Sequence, residues 1–531
     1  MAPGHVPRRG GSLAYATLLF VLAFACLLPN LRNPIHVYDE GLIALGAERV
    51  RMGEIPYRDF WTMYGPGQLF ALAGLFKLFG ASILVERVFD LVVRSFLALS
   101  LYFLGARLGS RGPALLAWAT VVLWLGYSGF FGYPVFPALL FITLSMLALL
   151  KSFDDPRRRI GGGLLLGLAA LFRHDLAAYA LVAQTVVLTR RAFVRAGPPA
   201  SPPARVWHAI RDQGPCLAGM AAVIVPVAIF FLATTPIAQL LGQVVVFPLT
   251  VFPRYRALPY PDFAPTLDAL PFFAPFVIYA LTLVVVMASS RASRGSRDPV
   301  AQTHGWGIGL VAAFGLLAFN QVRVRADLHH LPPFLLPALA LVPALWRRER
   351  GTSAGITASA ALVALALMAA LALRPAEYAI ATVDRALNAT MPALSHGIAR
   401  AAGTPIRGDQ AAAVRAIRTL VPPGRAIYVG VDRHDRIIIN DPMFYFLADR
   451  PAATRYHELH PGLATTRPVQ EEIAAELERG DVRYLVLIRF AEVREPNQSS
   501  VSSGVTFLDD YIAAHYATAQ QLGAYRIMVR R

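Results

Sequence analysis

Charged residues are scarce in this chain: 16% of its 531 residues, against 56% hydrophobic and a mean hydropathy of +0.50. Soluble domains carry about 25% charge, so the shortage excludes a soluble enzyme and indicates a polytopic membrane protein. Cysteine is scarcer still. Cys26 lies in the first apolar run and Cys216 at the start of another, which leaves no basis for a disulfide framework. No internal repeat and no glycine-rich phosphate loop is present, so solenoids and nucleotide-cradling folds are set aside. The N-terminus also lacks a cleavage site. Pro7-Arg8-Arg9 and the apolar run to Leu28 resemble a signal peptide, but Cys26-Leu27-Leu28-Pro29-Asn30 has no small-x-small step. It reads as an uncleaved first helix.

What the sequence does contain is a series of apolar runs of spanning length. They fall near Ser12–Leu28, Val88–Leu108, Pro113–Tyr127, Val135–Leu150, Gly161–Phe172, Leu176–Leu188, Leu217–Ala233, Phe272–Ser289, Trp306–Asn320, Phe334–Trp346 and Ala354–Leu373. The expected fold is therefore a polytopic α-helical membrane protein of about 11 spans. The formal net charge of +17 does not point to nucleic acid, because the arginines sit in short loops between the runs. Arg107 and Arg111, Lys151 with Arg157 to Arg159, Arg190 and Arg191, Arg294 and Arg297, and Arg347, Arg348 and Arg350 mark every second loop. The positive-inside rule makes those loops and the N-terminus cytoplasmic.

The opposite, outer face then receives residues 30–67, Arg173–Asp175, Thr234–Pro271 and Gln321–Pro332. Gln68–Phe79 is apolar but short, and reads as an interfacial helix. Residues 374–531 differ in composition and read as an extracytoplasmic α/β domain following a membrane domain of residues 1–373. Its expected strands are Ala426–Val431, Arg483–Ile488 and Tyr525–Val529, with helices at Val469–Arg479 and Phe507–His515.

The ionisable groups gather on that outer face, and ionisable residues at a membrane boundary suggest a site. The opening loop carries Asp39 and Glu40 ahead of an amphipathic helix, Gly41–Met52, then Arg58, Asp59 and Tyr64. Asp39 has two compatible readings: a helix cap meeting the positive end of the dipole, or a general base taking a proton from a hydroxyl. Arg173, Arg323, Arg325, Arg254 and Arg256 break the positive-inside pattern, and guanidinium groups suit a phosphate. Asp175 and Asp327 stand two residues from Arg173 and Arg325, so local ion pairing is the alternative. His329 or His330 could join Glu40 or Asp59 around a divalent metal, but the spacing favours no metal and no other cofactor. Phe247–Pro261 reads as an interfacial lid. In the tail, His434 with Asp435 is the one pair that stands out.

These features together resemble the GT-C superfamily of membrane glycosyltransferases, in the group of protein mannosyltransferase-like and aminoarabinose-transferase-like enzymes. The residues that carry the likeness are Tyr38-Asp39-Glu40, the following helix with Gly53, Tyr64-Gly65-Pro66-Gly67-Gln68-Leu69, Lys77-Leu78-Phe79-Gly80 and Glu86-Arg87. Tyr-Gly-Pro-Gly stands where the aminoarabinose-transferase pattern has a lysine and two prolines. The resemblance implies inverting transfer of a sugar from a polyprenyl-phosphate donor to a hydroxyl of a glycan, lipid or protein acceptor, in the cell envelope of a bacterium. Asp39 would be the base and Glu40 would orient the acceptor or Asp39. Arg173, Arg323 and Arg325 are candidates to stabilise the leaving phosphate, with Arg58, Asp59, Tyr64, Asp175, His329 and His330 around the substrates. A transporter or flippase of a lipid-linked glycan is the alternative, disfavoured by the missing repeat.

Overall fold

The computed structural model describes residues 9–196, 202–292, 299–346, 354–388, 395–490 and 493–531. Arg294, Arg297, Arg347, Arg348 and Arg350 lie outside them. Every expected span is a helix. In order these are α1 (Arg9–Leu27), α2 (Asp39–Arg51), α3 (Pro66–Phe79), α4 (Ile83–Leu108), α5 (Arg111–Tyr127), α6 (Val135–Lys151), α7 (Pro156–Phe172) and α8 (His174–Ala196). Then follow α9 (Pro202–Thr234), α10 (Ile237–Leu241), α11 (Phe252–Arg256), α12 (Leu270–Ala292), α13 (Pro299–Val324), α14 (Pro332–Leu341) and α15 (Ala354–Asn388).

Among the described residues, 7 helices are long and apolar enough to cross a membrane, as expected of an integral membrane protein. The remaining expected spans are shorter or more polar, and the reason is their place in the bundle. Every residue of α14 is buried, so it is wrapped by other helices instead of facing lipid. On the lipid-facing α1, by contrast, Leu18 and Val21 are exposed. Small residues let helices cross closely: a Cβ on Gly163 of α7 would strike Cys216 O of α9, and one on Gly219 would strike Ile160 O. The basic ends of these helices come together on one face, where Arg159 binds Asp212 and Arg191 binds Asp154.

Two expectations change at the other face. Thr234–Pro271, read as a loop, contains α10, a π-helical stretch Gly242–Val251 and α11 end to end. That run satisfies the length and apolarity of a span, yet its contacts place it at the rim. Phe247 packs edge-on against Trp61 and His460, and Gln243 bonds Thr62 N and Tyr57 O. The last helix also runs past its expected end at Leu373. Tyr378 and Arg385 reach back to Asn33, and these hydrogen bonds to the opening loop tie down the extra turns.

The C-terminal part is an α/β unit built on a four-stranded sheet of order β1-β2-β4-β3. Its strands are β1 (Tyr428–Val431), β2 (Tyr484–Ile488), β3 (Tyr516–Leu522) and β4 (Tyr525–Arg530). The first two are parallel and fully apolar, as the run-like pattern of buried strands requires. The others form a hairpin turned at Gly523, which has φ +58°. Helices α16 (Gly408–Leu420), α17 (Met443–Ala448), α18 (Arg467–Arg479) and α19 (Phe507–His515) pack around the sheet. The sequence reading anticipated three strands and two of these helices. It missed β3, whose middle residues Thr518 to Gln521 are exposed and mostly polar, the helix α16 and the short, wholly buried α17.

This unit is seated on the opening loop. Met443 N donates to Val37 O at 3.2 Å, and a Cβ on Gly41 would strike Met443 N. Arg49 of α2 bonds Thr454 O and His457 of the soluble part. The outer face and the C-terminal part thus share one wall.

Candidate functional site

Asp39 and Glu40 are adjacent in sequence and face opposite ways. Helix α2 begins at Asp39, and its first backbone N–H is accepted by His36 Nδ1 at 3.0 Å. The capping role thus belongs to His36, whose Nδ1 also lies 3.4 Å from the Asp39 carboxylate. That side chain is 28% exposed and faces a cavity of about 1200 Å3. Glu40 points into the protein with no exposure. It takes a bidentate pair from Arg87 of α4 at 2.6 and 2.9 Å and the His36 N–H at 2.9 Å. Arg87 also donates to Leu31 O, Asn33 O and Pro34 O. Glu40 therefore holds the opening loop in place from behind, away from the cavity wall.

The rest of the loop divides in the same manner. Gly53, at φ +96°, ends α2, and the chain passes through Tyr57 to the exposed Arg58. Arg58 and Asp59 pair with each other at 2.8 Å, and Asp59 also accepts Ile55 N at 2.7 Å. Neither lines the cavity. Tyr64 does, and the next three residues explain how. Gly65 and Gly67 lie against the backbone of Leu171, where a Cβ at Gly65 would run into Leu171 O. Only glycine permits this approach, which brings Tyr64 beside the break between α7 and α8.

That break is Arg173, in extended conformation between two helices. Its guanidinium is bidentate to Asp175 at 2.9 and 2.7 Å, bonds Gln321 at 2.8 Å and reaches the Tyr133 hydroxyl at 3.4 Å. Arg325 is also committed. It donates to Asp327 at 2.8 Å, to Arg256 O at 2.6 Å and to Glu495 of the soluble part at 2.8 and 3.1 Å. Local pairing, the alternative for these two arginines, is what the structure contains. Arg323 is different. It is exposed on the cavity wall and donates only to the neutral Asn320, at 3.1 and 2.8 Å; among the described residues it has no carboxylate partner. Arg254 stays outside the cavity lining.

His329 and His330 both line the cavity, held by Asp327, whose Oδ1 accepts both their backbone N–H groups at 3.0 Å. His330 Nδ1 also lies 2.7 Å from that carboxylate. Burial would push Asp327 up, but His330 and Arg325 bring it below its ordinary range. Burial depresses His329, whose ring meets Ser128 O and the edge of His36. The metal arrangement considered from sequence is not formed: Glu40 is bound by Arg87 and Asp59 by Arg58. Among the described residues, no three His, Cys, Asp or Glu side chains come together as a metal would need.

The soluble part contributes residues to this cavity that the sequence reading did not find. Glu458, His460, Arg433, Arg436 and Arg489 are on its wall. Glu458 is 1% exposed and accepts the Tyr38 hydroxyl at 3.3 Å. Burial, and then Asp39, pushes its carboxyl up to about 8. Burial likewise holds Tyr38 and Tyr64 well above the ordinary phenol value. The signal in the sequence was His457-Glu458-Leu459-His460, three ionisable residues in four, all buried. Asn440 fixes that run by bonding His457 O and Leu459 N. His434, singled out from sequence, is instead a buried structural residue. It bonds Asp509 and the Tyr428 hydroxyl, while Asp435 binds Arg433 and Ser502.

The fold has counterparts among solved structures. ArnT from Cupriavidus metallidurans in the apo state matches with a TM-score of 0.54 at 13% identity, covering 98% of each chain. The chain has the GT-C fold. The undecaprenyl phosphate-bound ArnT gives a TM-score of 0.52 with the same identity and coverage. The apo oligosaccharyltransferase of Archaeoglobus fulgidus is looser, with a TM-score of 0.48 at 12% identity, covering 89% of this chain and 69% of that one. No protein-family model matches the sequence, and no curated protein matches it. The likeness runs over both the helical part and the sheet-containing part, since it covers 98% of this chain.

Proposed function

We propose that this protein is an inverting membrane glycosyltransferase that moves a sugar from a polyprenyl-phosphate carrier to an acceptor hydroxyl. The observation that carries the reading is the position of Asp39. It is the one of two adjacent carboxylates that faces a large cavity, and Arg323 faces the same cavity with no acid paired to it among the described residues. One flank of the cavity is apolar, formed by Val245, Pro248, Leu249 and Phe252. Leu249 is 72% exposed, an apolar entry for a prenyl chain whose phosphate then reaches the arginines. That the ArnT neighbour was bound to undecaprenyl phosphate supports the same class of donor.

In this mechanism Asp39 accepts the proton of the acceptor hydroxyl as its oxygen attacks the anomeric carbon. The bond from that carbon to the phosphate oxygen breaks on the opposite face, and the phosphate leaves with the electron pair. Configuration inverts. Arg323 stabilises the charge that grows on the phosphate, where a preorganised donor has its largest effect. Glu40 and Arg87 act through Asp39 by fixing the loop that carries it. By the positive-inside argument, the N-terminus is cytoplasmic and the soluble part extracytoplasmic, in a bacterial inner membrane. The division at 373/374 read from the sequence falls inside α15, so the working domain boundary lies after Asn388.

Native mass spectrometry of the detergent-purified protein with added undecaprenyl phosphate tests the donor assignment. We expect one lipid bound to the wild type and weakened about tenfold or more in Arg323→Ala, the loss of a charge-assisted contact. Absence of any bound lipid phosphate in the wild type would overturn the donor assignment.

A further inference from the structure

Asp175, Asp327, Asp432 and Glu495 on the cavity wall each pair with an arginine and Asp39 is the base, whereas Glu458 has neither role. It comes from the soluble part, on a loop pinned by Asn440, and its surroundings are unusual for an acid. Tyr38 and Asp39 face it from the start of α2, Tyr64 from the opening loop, Arg256 from α11 and His460 from its own loop. Arg256 is taken, by Glu495 at 3.5 Å and by Ile438 O at 3.0 Å. His460 donates its Nδ1–H to Pro461 O and is held neutral by burial, which lowers it to about 3. Among the described residues no cation lies within ion-pair distance of Glu458. Its Oε1 accepts the Tyr38 hydroxyl, and Oε2 has no hydrogen-bond partner among those residues.

A buried acid without a cation keeps its proton, and a neutral carboxyl has an O–H to give. Asp39, a few side chains away on the same wall, is the more exposed of the two. Two carboxylates in one cavity with different surroundings divide into an ionised and a protonated member. We propose that Glu458 is a donor-binding carboxyl supplied by the soluble part, giving its O–H to a phosphate oxygen of the lipid carrier. The proposal rests on the donor reading above. The protonated Glu458 adds a hydrogen-bond donor to Arg323, and it leaves Asp39 as the only anion at that point of the wall. Ionised, it would set a second carboxylate against the phosphate.

The sign follows directly. The carboxyl is raised to about 8, so lipid binding is intact below that pH and lost as pH rises through it. The lipid's own second ionisation, near pH 6, is complete before this window. The experiment is undecaprenyl phosphate affinity between pH 7 and 9.5, by native mass spectrometry or a fluorescent displacement assay. Affinity in the wild type falls by up to about tenfold per pH unit above the break, the limit for one proton. Glu458→Gln keeps a neutral N–H donor and binds with no break in this window. Tyr38→Phe removes a hydrogen bond that favours the ionised form, so its break moves to higher pH. A wild type with flat affinity, or a Glu458→Gln variant with an unchanged break, overturns the proposal while leaving the donor reading standing. No binding by any form at any pH overturns both.

Discussion

The two walls of the cavity were built from different kinds of sequence. The membrane-side wall consists of short polar interruptions between apolar runs: Asp39 after the first helix, Arg173 between α7 and α8, and Gln321 to His330 before α14. The soluble-side wall consists of Glu458, His460 and Arg433, which lie in an ordinary mixture of polar and apolar residues. In the first setting a charge costs free energy unless it has a use, so each one stands out. In the second, charge is cheap and a functional acid looks like any surface residue. The contrast explains why one wall could be anticipated and the other could not, and it supplies the order of experiments.

The largest effects are expected from the adjacent pair of carboxylates, by different routes. Asp39→Asn should lower sugar transfer by about 10²–10⁴-fold, the usual contribution of a positioned base, with unfolding temperature and yield unchanged. Arg87→Ala should instead damage the fold, because it leaves Glu40 charged and unpaired in a site with no exposure. Breaking a buried pair costs about 3–5 kcal/mol, visible as loss of folded protein in thermal unfolding and size exclusion. If the two variants behaved alike, in either direction, the assignment of Asp39 to chemistry and Glu40 to support would be wrong.

How far the sequence could be read follows the same division. The helices were legible because apolar runs of fixed length leave few alternatives, and Asp39 was legible because a paired acid at a membrane boundary is rare. Glu40 could not be separated from Asp39: a one-residue step along a helix turns the side chain by about 100°, and only the position of Arg87 decides which acid is inside. The arginines show a further limit. Arg173, Arg323 and Arg325 look equivalent in sequence, yet two are saturated by carboxylates. Asp175 and Asp327 hinted at that, but Glu495, 170 residues beyond Arg325, did not. The run from α10 to α11 reads as an outer segment with a proline-rich lid, and a π-helical stretch accommodates Pro248 within it.

An intermediate effect should separate these arginines. Arg323→Ala is expected to weaken lipid binding without changing stability. Arg325→Ala should do the reverse at first order, because its partners are Asp327, Arg256 O and Glu495. Loss of charge-assisted bonds at a half-buried tie costs about 1–3 kcal/mol, and here it would loosen the soluble part from the membrane part. Limited proteolysis between residues 388 and 408 gives the readout. Equal loss of lipid binding in both variants would mean that Glu495 yields Arg325 to the phosphate when the donor arrives.

The smallest effect concerns Arg58 and Asp59, which the sequence places in the site and the geometry places outside it. Their mutual pair is exposed, and exposed pairs contribute little. Arg58→Ala should leave undecaprenyl phosphate affinity and unfolding temperature unchanged within error. Asp59 has a second task, accepting Ile55 N at 2.7 Å in the turn that leads to Tyr57. Tyr57 sits at φ +70° with its hydroxyl on Tyr64 O, so the turn connects to the cavity through Tyr64. Asp59→Ala should therefore lower stability slightly and affect binding only through Tyr64, while Asp59→Asn, which keeps an acceptor for Ile55 N, should restore both. A clear binding defect in Arg58→Ala with the fold intact would show that the donor's path extends along this side of the loop, and the membrane-side wall would have to be drawn wider.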